Sequence, residues 1–430
     1  MQRIAITTLG CKTNQFESAA MAEELGREGF RVVPFEEPAD VYLINTCTVT
    51  ARTDAESRRL IRRAARMNPA ARIVVTGCYA QVAFDQLREM TEVDLVLGNL
   101  EKKGIVGFLR QLGEERQVRV SDIRSGAETG GLALETFAEH TRAFLQIQNG
   151  CDAFCSYCIV PHARGKSRSV PFDEVQAGIA RLADNGFKEV VLSGIHLGAY
   201  GTDLLPQRSL LEVLEVAEKR RLVPRLRVGS VEPLEISDAM IRFLATASTV
   251  CPHLHIPLQS GSDTVLARMN RRYTIAEFRS VLERLTAVIP DICLGADLIA
   301  GFPGETDEEF REGYDAVQSL PLSYLHVFPY SPRPGTPAAT MTGQVPPQVT
   351  KERAQALRRL SDQKKKAYYG AFAGNRLQVL VQDRGDDGRW RGISRNYIPV
   401  TLDGWDGETN CEVTATVTSV GRSGVTGTVE

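Results

Sequence analysis

No apolar run in this chain of 430 residues approaches the roughly 18 residues that a membrane-spanning helix needs, so no such span is expected. The amino end, MQRIAITTLGC, lacks the basic-then-apolar profile of a secretory leader. It reads as a buried first strand and points to a cytoplasmic protein. Neither sign of charge is in excess: 51 Lys and Arg stand against 53 Asp and Glu, a net charge of −2. Whole-chain electrostatics therefore demand no polyanionic partner, and any nucleic-acid contact must come from local basic patches. Lysine is scarce, 10 against 41 arginines, a bias that genome composition explains as well as RNA affinity does. Repeats at solenoid periods and low-complexity tracts are absent, which excludes repeat arrays and long polar tails.

What is present is ordinary globular material, 43% hydrophobic and 24% charged, with room for about two to four domains. Residues 1–112 alternate apolar runs (RIAITTL, VYLIN, RIVVTG, DLVLG) with helical patterns such as NQFESAAMAEELGREG and DAESRRLIRRAARMN. That alternation predicts βα repeats and a mostly parallel open sheet, a first domain over 1–125. From about 113 to 140 the chain is polar and glycine-bearing and reads as a linker. A second domain, 137–368, offers six strand patterns: FLQIQN, KEVVLSG, RLRVGS, HLHIPL, CLGADLI and YLHVF. Helical patterns follow these strands, so the expected fold is a partial (βα)6 barrel with its chemistry at the carboxyl ends of the strands. After 370 the period changes to two, and residues 371–430 predict a small antiparallel β-barrel of OB-like size. The fold class is α/β with this all-β appendage.

The cysteines number nine, an odd count that argues against a disulfide framework and leaves metal ligation or burial. Cys151, Cys155 and Cys158 have the spacing C-x3-C-x2-C and follow the first barrel strand. Three thiolates on one loop can hold three irons of a cubane and leave the fourth open to an exchangeable ligand. The amino and carboxylate groups of S-adenosylmethionine suit that position, and electron transfer could then cleave the sulfonium to a carbon radical. The competing reading is zinc with a distant fourth ligand or His162, but zinc spacings usually come as two Cys-x2-Cys pairs and no second pair exists. GCDAFCSYCIVPHARGKSRS within a six-unit βα domain resembles the radical S-adenosylmethionine superfamily, and its flanks resemble the methylthiotransferases. LSGIHLGAYG, RVGSVEP, HIPLQSGSDTVLARMNRRY, GADLIAGFPGETDEEF and FPYSPRPGTPAA agree, so the resemblance covers nearly the whole chain.

Cys11, Cys47 and Cys78 each follow a strand of the first domain. In an open α/β sheet those strand ends meet at one crevice, so three loops would bring three thiolates together. The alternative is three buried, inert cysteines. TLGCKTNQFES, INTCTVT and TGCYAQ resemble the methylthiotransferase amino-terminal domain, which implies that this trio holds a second [4Fe-4S] cluster. One cluster would make the radical and the other would carry sulfur. Cys251, Cys293 and Cys411 lack partners; Cys251 and Cys293 lie beside barrel strands and are expected to be structural.

By position, Gly194, Glu232, Gln259 and Gly301, at the ends of successive barrel strands, are the expected S-adenosylmethionine contacts, as the resemblance also implies; each could instead be a turn or capping residue. His196 and His255 are weaker candidates. HARGKSR and RMNRR add basic loops at the mouth, and the prolines of FPYSPRPGTP stiffen a possible lid. For RNA, Arg59, Arg62, Arg63 and Arg66 share a helix face, and Lys364, Lys365 and Lys366 end a second basic run; either could be a solvated surface. The last barrel resembles the TRAM domain, an RNA-holding module, although residues 371–430 carry six arginines against eight acids.

The motifs resemble most the methylthiotransferase subgroup acting on N6-threonylcarbamoyladenosine at position 37 of tRNA. The implied reaction replaces the C2 hydrogen of the adenine by a methylthio group, with one S-adenosylmethionine giving the radical and another the methyl group. Implied partners are the anticodon stem-loop and an electron-donor protein, with a monomer as the default state. No protein acid or base is required and none is assigned. Methylthiolation of a ribosomal-protein aspartate, sulfur insertion without methyl transfer, and a non-enzymatic iron–sulfur RNA-binding protein remain the alternatives.

Overall fold

A computed structural model describes residues 1–125, 134 and 141–430. The first region is a six-stranded, wholly parallel sheet of β1 (Arg3–Thr8), β2 (Arg31–Val33), β3 (Val41–Thr46), β4 (Arg72–Gly77), β5 (Leu95–Leu97) and β6 (Gln117–Arg119), in the order β2-β1-β3-β4-β5-β6. Both faces of its centre are covered, so every residue of β3 is buried, and the strand reads as a continuous apolar run rather than an alternation. Helices α1 (Lys12–Arg27), α2 (Ala51–Met67) and α3 (Cys78–Val82) follow β1, β3 and β4. Helix α2 starts on a Thr50–Thr53 capping box, which satisfies donors that a helix start leaves free. Two strands exceed the four read from sequence. One of them, β6, lies inside the segment expected to be a linker, whose remaining course falls mostly outside the described residues. Both extra strands have three residues at sheet edges, too short to show a period.

The second region is the expected open barrel. Its strands are β7 (Arg142–Gln146), β10 (Glu189–Ser193), β11 (Arg225–Val228), β12 (His253–His255), β13 (Cys293–Ala300) and β14 (Tyr324–Pro329), all parallel. The short pair β8 (Gln148–Asn149) and β9 (Arg168–Ser169) shapes the loop after β7. Two three-stranded sheets, β11-β10-β7 and β12-β13-β14, are joined through single bridges at Leu226–Val250 and Ser230–His255. Among the described residues β7 and β14 do not pair, so the barrel keeps a seam. Phe16 and Ala20 of α1 join the barrel core beside β7. Arg333 of the proline-rich loop donates to Thr48 at 2.8 Å and to the Asp54 carboxylate at 2.5 Å, and Ser331 Oγ accepts the Ala51 amide at 3.0 Å. The loop read as a possible lid is thus clasped to the first region.

A 24-residue helix, Pro347–Gly370, leads to a closed barrel of β15 (Arg376–Arg384), β16 (Trp390–Ser394), β17 (Pro399–Asp403), β18 (Glu412–Val420) and β19 (Val425–Val429), ordered β15-β16-β17-β19-β18. The expectation of an antiparallel barrel needs one correction, since β17 and β19 pair in parallel. The crossover through β18 reverses the chain before it returns, and strand periodicity carries no information on direction. This barrel sits under the amino ends of the central strands. Glu189 accepts from Arg225 Nε at 2.8 Å and Arg227 Nε at 2.7 Å, and the same arginines donate to the carbonyls of Ile393, Ser394 and Arg395. Tyr397 stacks on His253 with ring centroids 4.0 Å apart. All three charged side chains of this network are fully buried, so removing one partner strands a charge at a cost of about 3–5 kcal/mol.

Candidate active site at the barrel mouth

The Cys151–Cys158 loop is built by its neighbours. Gly150 has φ +77°, and a Cβ there would stand 1.8 Å from the Lys166 carbonyl oxygen, so only glycine fits. Gln148 Nε2 donates to the Gly150 carbonyl at 2.8 Å and to Ser167 Oγ at 2.9 Å. Its Oε1 accepts the amides of Ile195 and His196 at 2.9 and 2.8 Å, tying the cysteine loop to the loop after β10. Cys151 Sγ lies 3.7 Å from His196 Nδ1 and accepts the Ala153 amide at 3.4 Å. Arg271 Nη1 donates to Cys155 Sγ at 3.4 Å and also holds the Glu232 carboxylate. Bonds from Cys151 and Glu235 raise His196 to about 10, while burial pushes the Cys158 thiol up to about 12. A buried sulfur of this kind becomes a thiolate readily only when a cation binds it.

The other trio depends on the sheet. Strands β1, β3 and β4 are neighbours; Cys11 caps α1, Cys47 follows β3 directly and Cys78 opens α3. Gly10, at φ +104°, lets the chain pass so close that a Cβ would meet Cys47 Sγ at 2.8 Å. Asn14 Nδ2 donates to the Leu9 and Thr46 carbonyls, at 2.7 and 3.0 Å, fixing two of the three loops together. Burial, then the charge of Cys78, pushes the Cys47 thiol up to about 12, with Cys11 adding to the effect. The three sulfurs therefore lie within one another's fields.

Side-chain contacts tie the two cysteine-bearing regions together. Thr13 Oγ1, two residues after Cys11, is 3.5 Å from Ser193 Oγ at the end of β10, and His196, which touches Cys151, is three residues further along. Asn99 Nδ2, 4.0 Å from Cys78 Sγ, donates to the Ala163 carbonyl at 2.7 Å. Beneath them, Glu17 of α1 accepts from Arg164 Nη1 and Lys102 Nζ, both at 2.5 Å. Neither trio brings its three sulfurs within 4.8 Å of one another among the described residues. Ligands of one zinc ion, at Zn–S distances of about 2.3 Å, would be closer than that.

The expected S-adenosylmethionine contacts separate on inspection. Glu232 sits at the mouth, bound by Arg271; burial raises its carboxyl although that arginine opposes it. Gln259 is held at φ +70° by backbone bonds with Asp297 and Ile299. A Cβ on Gly194 would touch Gln148 Oε1 at 3.0 Å, beside the cysteine loop. Gly301 also packs closely, since a Cβ there would strike Thr350 at 2.3 Å, where the long helix crosses. Of the basic residues, Arg59, Arg62 and Arg63 face acids at Glu56, Glu92 and Glu36, while Arg66 is exposed. Lys364 is engaged: its ammonium donates to the Gln318 and Leu320 carbonyls at 3.0 and 2.7 Å.

Sequence reasoning missed several lumen residues. Tyr324 lies across Gly295, where a Cβ would meet its ring at 2.1 Å, and its hydroxyl bridges His253 Nε2 at 2.9 Å and His255 Nδ1 at 3.2 Å. Asp297 faces His255 Nε2 at 3.0 Å and His326 Nδ1 at 3.5 Å, and those bonds hold its carboxyl well below the usual range despite burial. The available signal was the two-residue period of HLH and of the β13 run, which puts these side chains on one face. Lys12 enters the lumen too; burial, then Arg142 and Arg227, lowers its amine to about 8.

An open parallel barrel with this cysteine loop at its first strand defines the class, a radical S-adenosylmethionine enzyme. Residues 145–317 match the Radical SAM superfamily, and residues 3–98 match a family described as Uncharacterized protein family UPF0004. Threonylcarbamoyladenosine tRNA methylthiotransferase MtaB of Bacillus subtilis is 41% identical over 410 residues, covering 94% of this chain and 91% of its own. The MtaB of Aquifex aeolicus is 37% identical over 94% of this chain and 97% of its own. A tRNA-2-methylthio-N(6)-dimethylallyladenosine synthase of Syntrophus aciditrophicus is 34% identical over 89% and 84%. Among solved structures, the radical S-adenosylmethionine methyltransferase TsrM of Kitasatospora setae shares the fold, with TM-score 0.58, 16% identity, and 79% of this chain and 75% of that one covered. The chain belongs to the radical-SAM tRNA methylthiotransferases of MtaB type and is a transferase. That family uses a [4Fe-4S] cluster with S-adenosylmethionine and takes tRNA as substrate; among the described residues no helix is long and apolar enough to cross a membrane.

Proposed function

We propose that this enzyme replaces the C2 hydrogen of N6-threonylcarbamoyladenosine at position 37 of tRNA with a methylthio group, giving ms2t6A. The observation that carries this reading is the contact between the two cysteine-bearing regions, across Thr13–Ser193 and Asn99–Ala163. The thiolates of Cys151, Cys155 and Cys158 would hold one [4Fe-4S] cluster, and those of Cys11, Cys47 and Cys78 a second. When bound, the first supplies, with S-adenosylmethionine, a carbon radical, and the second supplies or delivers sulfur. Around them the protein positions and shields. Arg271 orients Glu232 toward the ribose hydroxyls of S-adenosylmethionine while donating to Cys155. Gly194 and Gln259 line the same mouth, and Gly301 completes the strand end. Gln148 keeps the cysteine loop and the His196 loop in register. Phe144, His255 and Asp297 line the lumen where the base would lie.

The units correspond to 1–125, 137–368 and 371–430, the last being TRAM-like. Arg59, Arg62, Arg63, Arg66, Lys365 and Lys366 give the anticodon stem-loop its phosphate contacts, with Lys364 as their support. The protein works in the cytoplasm as a monomer with an electron-donor protein. Its test is mass analysis of tRNA treated anaerobically with reconstituted enzyme, with and without the threonylcarbamoyl group. A methylthio product only on the threonylcarbamoylated tRNA is expected. Product on the dimethylallyl substrate instead, or on a ribosomal-protein aspartate, overturns the assignment.

A further inference from the structure

The floor of the barrel lumen carries more positive charge than its acids neutralise. Arg142, Arg225 and Arg227 converge on the single carboxylate of Glu189, at 3.7, 2.8 and 2.7 Å. Glu412 meets Arg225 from below but is shared with Arg395. The other lumen acid, Asp297, is occupied by His255 and His326. Lys12 adds a further cation, and among the described residues no acid forms an ion pair with it. Glu189 is the acid whose charge reaches it, and that carboxylate is already taken.

The position of Lys12 is set by two elements. It begins α1, which fills the barrel seam beside β7, and its Nζ stands 6.0 Å from the centroid of the Phe144 ring. On β7, Leu145 faces outward to the helix Phe172–Asp184, where it would touch a Cβ on Gly178 at 3.2 Å. By strand alternation Phe144 faces the lumen. The Lys12 ammonium is therefore presented over an inward-facing ring of the lumen, and Lys12 directly follows Cys11 in the chain.

We propose that Lys12 is the counter-ion for an anionic N6 substituent of the target adenosine, its ammonium taking the terminal carboxylate of the threonylcarbamoyl group. This rests on the reaction proposed above and deepens it. A half-buried cation without an anion is completed by a carboxylate through a charge-assisted hydrogen bond. A hydrocarbon substituent would leave it unpaired, so the residue discriminates by what it would strand as well as by what it binds.

Anaerobic holoenzyme, wild type, Lys12→Gln and Lys12→Arg, is titrated with anticodon stem-loops bearing threonylcarbamoyladenosine, its methyl ester, or unmodified adenosine. Iron is counted and product mass is read on the same samples. Lys12→Gln should lose about 10- to 100-fold of the preference for the threonylcarbamoylated loop over the unmodified one. Lys12→Arg should keep most of it, and the ester should bind the wild type like the unmodified loop. A Lys12→Gln enzyme with undiminished preference overturns the assignment and leaves the reaction standing. The ester arm requires no altered protein, so it decides even where substitution beside Cys11 costs iron: equal affinity for acid and ester overturns the assignment. Product mass on the threonylcarbamoylated loop judges the reaction separately.

Discussion

The two cysteine trios are placed by opposite routes. Cys151, Cys155 and Cys158 lie on one loop, placed by a glycine turn and by Gln148. Cys11, Cys47 and Cys78 come from three loops, brought together only because β1, β3 and β4 are sheet neighbours. The first trio is nearly assembled by local chain geometry, whereas the second exists only when the sheet does. Loop-closure entropy is paid once for the local set and across long chain segments for the other.

The largest break in this comparison comes from the ligands. Cys151→Ala and Cys11→Ala should each abolish the methylthio product, and each should remove half of the iron from the reconstituted protein; iron and sulfide counts check this. Full iron in either variant would show that the trios are not two separate cluster sites. Next is the joint between the trios. Glu17→Gln leaves Arg164 and Lys102 buried without their acid, an expected loss of about 3–5 kcal/mol in denaturant melts. Burial alone would raise the Glu17 carboxyl, but Arg164 and Lys102 more than offset it and hold it at about 2, against an ordinary 4.5. A depressed folded value means that its contribution is full above about 4.5 and fades as pH falls toward 2. Melts between pH 6 and 3 should show this fade in the wild type and not in Glu17→Gln.

A smaller and more selective break uses the glycines. Gly10→Ala forces a side chain against Cys47 at positive φ and should cost about 1–3 kcal/mol, with loss of the N-terminal iron alone. Gly150→Ala should do the reverse, disturbing the Cys151 loop while the sheet-borne trio keeps its iron. Equal damage to both sites from either change would erase the distinction between local and sheet-borne ligation. The smallest effect expected is at the surface. Arg66→Gln should weaken tRNA binding by under about 1 kcal/mol and lower the salt slope by about one unit, read from affinities at several salt concentrations.

Much of this was legible in the chain. The β3 and β13 runs announced buried parallel strands, and Cys-x3-Cys-x2-Cys announced one loop of three thiols because those residues are close in sequence. Strand ends also located Cys11, Cys47 and Cys78, since a parallel sheet has one active edge. The edge strands β2 and β6 were not legible, being too short to show a period, nor was the parallel β17–β19 pair. The docking of the last barrel was hidden as well. Arg225 and Arg227 look like surface residues of an alternating strand until Glu189 and the Ile393–Arg395 carbonyls enclose them. Lys364 looked free because sequence does not reveal which carbonyls a helix end leaves open beside it.

The sequence by itself determined the spacing of the cysteines, the order of strands and helices, and the strand ends on which those cysteines fall, because these follow from periodicity and spacing along the chain. Only the tertiary structure decided that Thr13 meets Ser193, that Arg333 clasps Asp54, and that Lys12, with no acid paired to it among the described residues, stands over Phe144. Those contacts join residues of different regions, and their energies depend on burial and on which partner charges are already taken. Neither quantity exists until the regions pack.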